Sequence, residues 1–167
     1  MEDVVRLLRE FLTLAKEKAE VSNEIERIRC EVYRFFMEQF SRSHLELGEI
    51  PENFFIEIKI PDSENPKTIL VIENSFVVSN WEFQVKIEPG PMLYDKYKSL
   101  NLKNGTTRAL LEIEAYVTLL ENLDKVRREL NHLVEQKKAE LEKVREILEK
   151  TKEMTAKILV AKKLKEE

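Results

Sequence analysis

The spacing of apolar residues changes twice along the chain, from three-or-four to two and back again. In the first block, Val4, Leu8, Phe11, Ala15, Ala19, Ser22, Ile25, Ile28, Val32, Phe36 and Phe40 follow at steps of three or four, the mark of one helical face. This predicts a helix within residues 1–47. Glu2 and Asp3 complement the dipole of its first turn, and Gly48 and Pro51 stop it. The stripe is slender at Ala15, Ala19 and Ser22 and bulky at Tyr33, Phe35, Phe36, Met37 and Phe40. Small residues suit a close helix pair and aromatics suit a broader core, so the core is expected near residues 32–47.

Residues 51–89 switch to period two. Phe54, Ile56, Ile58 and Ile60 face one way and Glu57 and Lys59 the other; Trp81, Phe83, Val85 and Ile87 alternate with Glu82, Gln84, Lys86 and Glu88. Both read as strands with one buried face. Between them, TILVIE (68–73) and SFVVS (75–79) are apolar on both faces, as central strands or one long bent strand would be. Asn74 reads as a bend, Ser79-Asn80 as a tight turn and PDSENPK (61–67) as a loop. Residues 90–105 have no sustained period and read as an irregular crossing segment.

The third block is helical again. Residues 106–167 contain no Pro or Gly, and apolar residues recur at steps of three and four from Leu110 to Leu164. As one continuous helix, started by a Thr106 or Thr107 cap, this stretch would be about 90 Å long. The expected fold is therefore α+β, a single unit over residues 1–167. Two long helices form an antiparallel coiled-coil hairpin, joined by a small antiparallel β meander of three to four strands. The distal seam, Val126, Leu130, Leu133, Lys137, Leu141, Val144, Leu148 and Thr151, contains two consecutive four-residue steps, which suits an intramolecular pair or a small bundle better than a long parallel dimer. If the helices are level at the sheet, about 15 residues of the second overhang by about 20 Å. That tail carries Met154, Ile158, Leu159, Ala161 and Leu164, an apolar surface that calls for a partner.

Composition narrows the role. Charged residues make up 36% of the chain, above the roughly 25% of an average domain, as long solvated helix faces require. The net charge of −4 supplies no global field for nucleic acid, which is not an expected partner. No apolar run approaches the ~20 residues of a membrane span, and a single cysteine, Cys30, fits a reducing, cytoplasmic setting. The Glu/Lys/Arg/Ile/Val bias with few Gln also fits a thermophile. His44 and His132 lie too far apart in the hairpin to share a site, Cys30 has no neighbouring histidine, and three glycines build no phosphate cradle. No catalytic, cofactor-binding or metal site is expected. YDKYK (94–98) interleaves aromatics and lysines as nucleic-acid sites do but reads as loop packing. KILVAKKLK (157–165) is a short basic amphipathic segment whose lysines suit a helix end.

The order helix, small antiparallel β block, helix resembles a prefoldin subunit in layout across the whole chain, without a specific motif. The helix-then-meander order is also similar to an RWD or kinetochore-type head on a coiled coil. From the residues, the expected role is a non-catalytic interaction or scaffold module that self-associates through its helical arms, a homo-oligomer with a dimer favoured. The prefoldin resemblance implies the alternative, a holdase that grips unfolded clients at the arm tips. Candidate contact residues are Met154, Ile158, Leu159, Ala161 and Leu164 at one tip and Val4 and Leu8 at the other.

Overall fold

The computed structural model describes residues 1–41, 45–61, 66–88 and 94–166, the first two of the last stretch by backbone alone. His44, Met92 and Leu93 lie outside the described residues. The fold is α+β; the described residues include three long α-helices and a three-stranded antiparallel sheet. The chain divides into two compact units, Met1–Leu123 and Asp124–Glu167.

In the first unit, α1 spans Glu2–Gln39. It ends some seven residues before the position expected from Gly48, at Phe40, whose backbone (φ −105°, ψ 9°) leaves the helical conformation. The Ser41 hydroxyl donates to Glu38 O at 3.0 Å, helping to satisfy a carbonyl of the last turn.

The strands are β1 (Phe54–Ile60), β2 (Lys67–Val77) and β3 (Asn80–Ile87), in the order β1-β2-β3. The two-faced apolar run is thus one 11-residue central strand, with Ile69, Leu70 and Val71 all buried. Cross-strand layers stack by register: Ile58 beside Leu70 beside Ile87, then Ile56, Ile72 and Val85, then Phe54, Asn74 and Phe83. Asn74 is not a bend. It sits inside β2 at 1% exposure, and its Nδ2 donates to Ile50 O and Glu52 O at 2.7 Å each. The side chain satisfies two carbonyls of the segment leading into β1, which is why a polar residue is kept on the apolar face.

The β2–β3 turn is one residue earlier than expected. Val77 pairs with Asn80, and the two loop residues Val78 and Ser79 both have positive φ (44° and 69°), a type I′ geometry. Neither residue is suited to it, and a β-branched side chain at positive φ is costly. Val78 is 89% exposed, so its side chain gains nothing by packing. Val78→Asn with Ser79→Gly is expected to stabilise the fold by about 1–2 kcal/mol, read as a higher urea midpoint at unchanged slope.

A 3-10 helix, Tyr94–Leu100, ends the crossing segment and leads to α2, Asn104–Glu121. Thr106 and Thr107 are not caps. They lie inside the first turn, buried, with both N–H groups donating to Lys103 O at 3.1 Å. One face of α2 buries Ala109, Leu111, Ala115, Tyr116 and Leu119 between α1 and the sheet.

The direction of α1 relative to α2 corrects the hairpin. Lys18 Nζ donates to Asn101 O at 3.1 Å, Glu26 abuts Gly105, Arg29 pairs with Glu112, and Phe36 stacks on Tyr116 at 4.6 Å. Residue numbers rise together on both helices, so the pair is parallel, not antiparallel. The physical reason is the crossing segment, which carries the chain back from the sheet to the middle of α1, about 20 Å before that helix ends.

The expected continuous helix from 106 is interrupted at Asn122. Its N–H reaches only Leu119 O, its Nδ2 donates to Thr118 O at 2.8 Å, and Thr118 Oγ1 donates to Glu114 O at 2.9 Å. Two successive side-chain bonds to carbonyls four residues back loosen the ladder without glycine or proline. The next helix is α3, Leu123–Glu166, 44 residues long, which from Asp124 onward forms the second unit and carries ion pairs Lys137–Glu140, Lys138–Glu135 and Lys152–Glu149 along its surface.

Candidate functional site

The parallel packing of α2 uses only one flank of α1. Ser22 and Phe36 are buried there and Arg29 is engaged by Glu112, three positions at seven-residue steps. Upstream of Ala19 every residue of α1 is exposed, Val4 and Leu8 among them. Beside the covered flank runs a second stripe: Val4, Leu7, Phe11, Leu14, Lys18, Val21, Ile25, Ile28, Val32 and Phe35. The steps are 3, 4, 3, 4, 3, 4, 3, 4 and 3, an unbroken a/d heptad pattern with Val4 at a and Leu7 at d. Val4, Leu7, Phe11, Leu14, Val21, Ile28 and Phe35 are exposed by 40–68%. The sequence reading followed the adjacent stripe through Ala15, Ala19 and Ser22, part of which α2 covers. The signal that separates the two is acidic. Asp3, Glu10, Glu17, Glu24, Glu31 and Glu38 recur at a strict seven-residue interval and occupy every g position.

On α3, every residue from Val134 to Glu166 is exposed. Unburied surface therefore begins well before Glu153, the start of the expected overhang. Met154, Ile158 and Ala161 lie at steps of four and three on one face, continuing Val144, Ile147 and Thr151; Leu159 and Leu164 fall off that line. A solitary helix of this length gains little from propensity alone, so its apolar face is the feature needing explanation.

Charged groups of the first unit are used for packing. The Lys96 ammonium donates to Glu114 Oε1 at 2.7 Å, and the Tyr97 hydroxyl donates to the same oxygen, so this part of YDKYK docks the crossing segment on α2. Burial opposes ionisation of Glu114, but these two donors outweigh it and hold the carboxyl below its usual range. Its ionised form is therefore favoured by folding, a contribution present above the ordinary carboxylate range and lost as pH falls through the lowered value. Desolvation pushes the Tyr116 phenol up to about 12. Arg29 is held charged by its hydrogen bond to Glu112 and lies over the Tyr33 ring at 4.9 Å.

A cleft of about 670 Å3 opens between the last turns of α1 (Tyr33, Met37 and Phe40) and the outer edge of β3 from Trp81 to Lys86. No His, Cys, Asp or Glu group of three or more among the described residues could hold a metal. His132 Nε2 lies 3.1 Å from Gln136 Nε2 on an exposed face, and Cys30, also exposed, lines a groove between α1 and α2 with Glu26, Arg29, Gly105 and Glu112. No described helix is long and apolar enough to cross a membrane. Comparison with protein-family models, curated proteins and solved structures found no match to this chain, so the reading of function rests on these surfaces.

Proposed function

We propose that this protein is a non-catalytic interaction or scaffold module that self-associates through its helical arms and holds other proteins in an assembly. The observation that supports it most is the heptad stripe of α1, seven of whose apolar residues are exposed over five heptads beside a flank that α2 already covers. Apolar residues at this spacing have no use in a solvated helix, and their exposure is costly unless a second helix covers them. The apolar face of α3 from Val144 to Ala161 adds a second arm of the same character.

Light scattering at two protein concentrations tests the reading. The expected mass is twice that of the 19.8 kDa chain, falling toward one on dilution. A monomer at every concentration would overturn it. Leu7→Asp with Leu14→Asp should abolish the dimer while leaving the thermal transition of the sheet-bearing unit in place, since both side chains lie outside its core.

The exposure of Val4, Leu8, Met154 and Ile158 also fits the prefoldin-like holdase. Suppression of aggregation of an unfolded client separates the two, because a holdase needs these tips free and a scaffold needs them paired. Activity that survives when the arms are cross-linked to each other would favour neither tip as the client site.

A further inference from the structure

The stripe on α1 specifies its occupant more closely than self-association alone. We infer that it pairs with a second copy of α1, parallel and in register, as a two-stranded coiled coil. This rests on the self-association proposed above and adds orientation, register and number of strands.

Three features carry it. The first is area. The seven exposed seam side chains leave on the order of 700 Å2 per chain in water, so two copies cover about 1,400 Å2, the standard size of a stable interface. The second is the choice of core residues. Val4, Ile25 and Val32 at a positions with Leu7 and Leu14 at d fit two strands, while Val21 and Ile28 at d do not, so the number of strands rests on the β-branched a positions and on the polar group among them. Lys18 is the one cation in the seam, at an a position. Its ammonium already donates to Asn101 O at the edge of the stripe, which leaves its stem in the seam and marks a single register.

The third is charge. In a parallel pair each g residue faces the partner's following e residue. The e positions of α1 are Leu8, Ala15, Ser22, Arg29 and Phe36, none of them acidic, so the acidic column meets no like charge; of these, Ser22 and Phe36 are already covered by α2 and Arg29 is already paired with Glu112. In an antiparallel pair of identical helices the g column faces the g column, and six carboxylates per chain are brought against six. Arg6 and Arg27 each hold acids of this column on their own helix, Asp3 by one and Glu24 and Glu31 by the other. Asp3, Glu24 and Glu31 are thereby fixed on the flank, and Glu10, Glu17 and Glu38 remain to repel.

A site-specific disulfide tests the geometry. In a Cys30→Ser background, Leu14→Cys places a thiol at an exposed d position, where equivalent residues of a parallel pair face each other at bonding distance. Oxidation in a glutathione buffer is expected to give a 14–14′ bridged dimer in most chains, and Leu7→Cys the same at 7–7′. In an antiparallel pair centred on the seam the two Leu14 positions would lie roughly 16 Å apart and could not bridge. A dimer by light scattering that forms neither bridge overturns the parallel register and leaves self-association intact. A monomer at every concentration removes both.

Discussion

Asn74→Asp is expected to unfold the sheet-bearing unit at neutral pH. The side chain is buried at 1% exposure between the registers of Phe54 and Phe83, and its amide donates to two carbonyl oxygens. A carboxylate there would present negative oxygens to two acceptors in an apolar layer, a loss of about 3–5 kcal/mol. That is comparable to much of the stability of a domain this size. The sign with pH follows from burial. The folded state raises the carboxyl's proton affinity above the unfolded value of about 3.9, so folded chains bind more protons and stability falls as pH rises through that interval. Acidification should therefore restore part of the urea midpoint. Asn74→Leu removes the two hydrogen bonds without adding charge and should cost less. An Asn74→Asp variant as stable as the wild type at pH 7 would mean that the amide does not hold residues 50–52 to the sheet.

Phe36→Ala carries the second large effect. Phe36 stacks on Tyr116 with rings 22° apart and meets Phe35 edge to face, so it joins α1 to α2 at the end of their shared run. Removing a buried phenyl ring leaves a cavity and should cost about 3–5 kcal/mol, whereas Phe36→Leu should cost well under half of that. A specific readout accompanies the loss. The Tyr116 phenol, pushed up to about 12 chiefly by desolvation, should titrate closer to its ordinary value once its cover is gone, followed by ultraviolet absorbance of the phenolate. An unmoved titration with lowered stability would place the burial of Tyr116 elsewhere than on Phe36.

Several elements were legible because their cause is local. The alternation of Trp81 to Glu88 marks β3 to within a residue, and the two-faced run from Thr68 marks the central strand. What escaped was decided by single side chains or by distance. Asn74 has the composition of a turn, yet its use is to bond Ile50 and Glu52, which no window around residue 74 contains. Asn122 breaks a helix through a bond to Thr118, where a search for glycine and proline sees nothing. The direction of α2 depends on how far residues 88–103 travel, and an aperiodic segment carries no mark of its reach. On α1 two apolar stripes overlap, and only the tertiary contact at Ser22 and Phe36 tells which one the chain consumes. Val4 and Phe11 belong to both lines, whereas Leu14 and Val21 lie only on the seam and are absent from the stripe that runs through Ala15, Ala19 and Ser22.

The parallel run of α1 and α2 also sets the order in which the molecule can be built. The contacts that close it, Lys18 with Asn101 and Arg29 with Glu112, join residues 83 positions apart. Such closure is slow compared with helix growth, which is complete within microseconds. On a ribosome, α1 emerges with all of its apolar flanks bare, and the segment that covers Ser22 and Phe36 is made some seventy residues later, several seconds at ordinary synthesis rates. Throughout that interval the heptad seam is already complete. If chains pair along it as proposed, two nascent chains on one messenger could do so before either has a folded sheet, and pairing would then precede the maturation of each subunit.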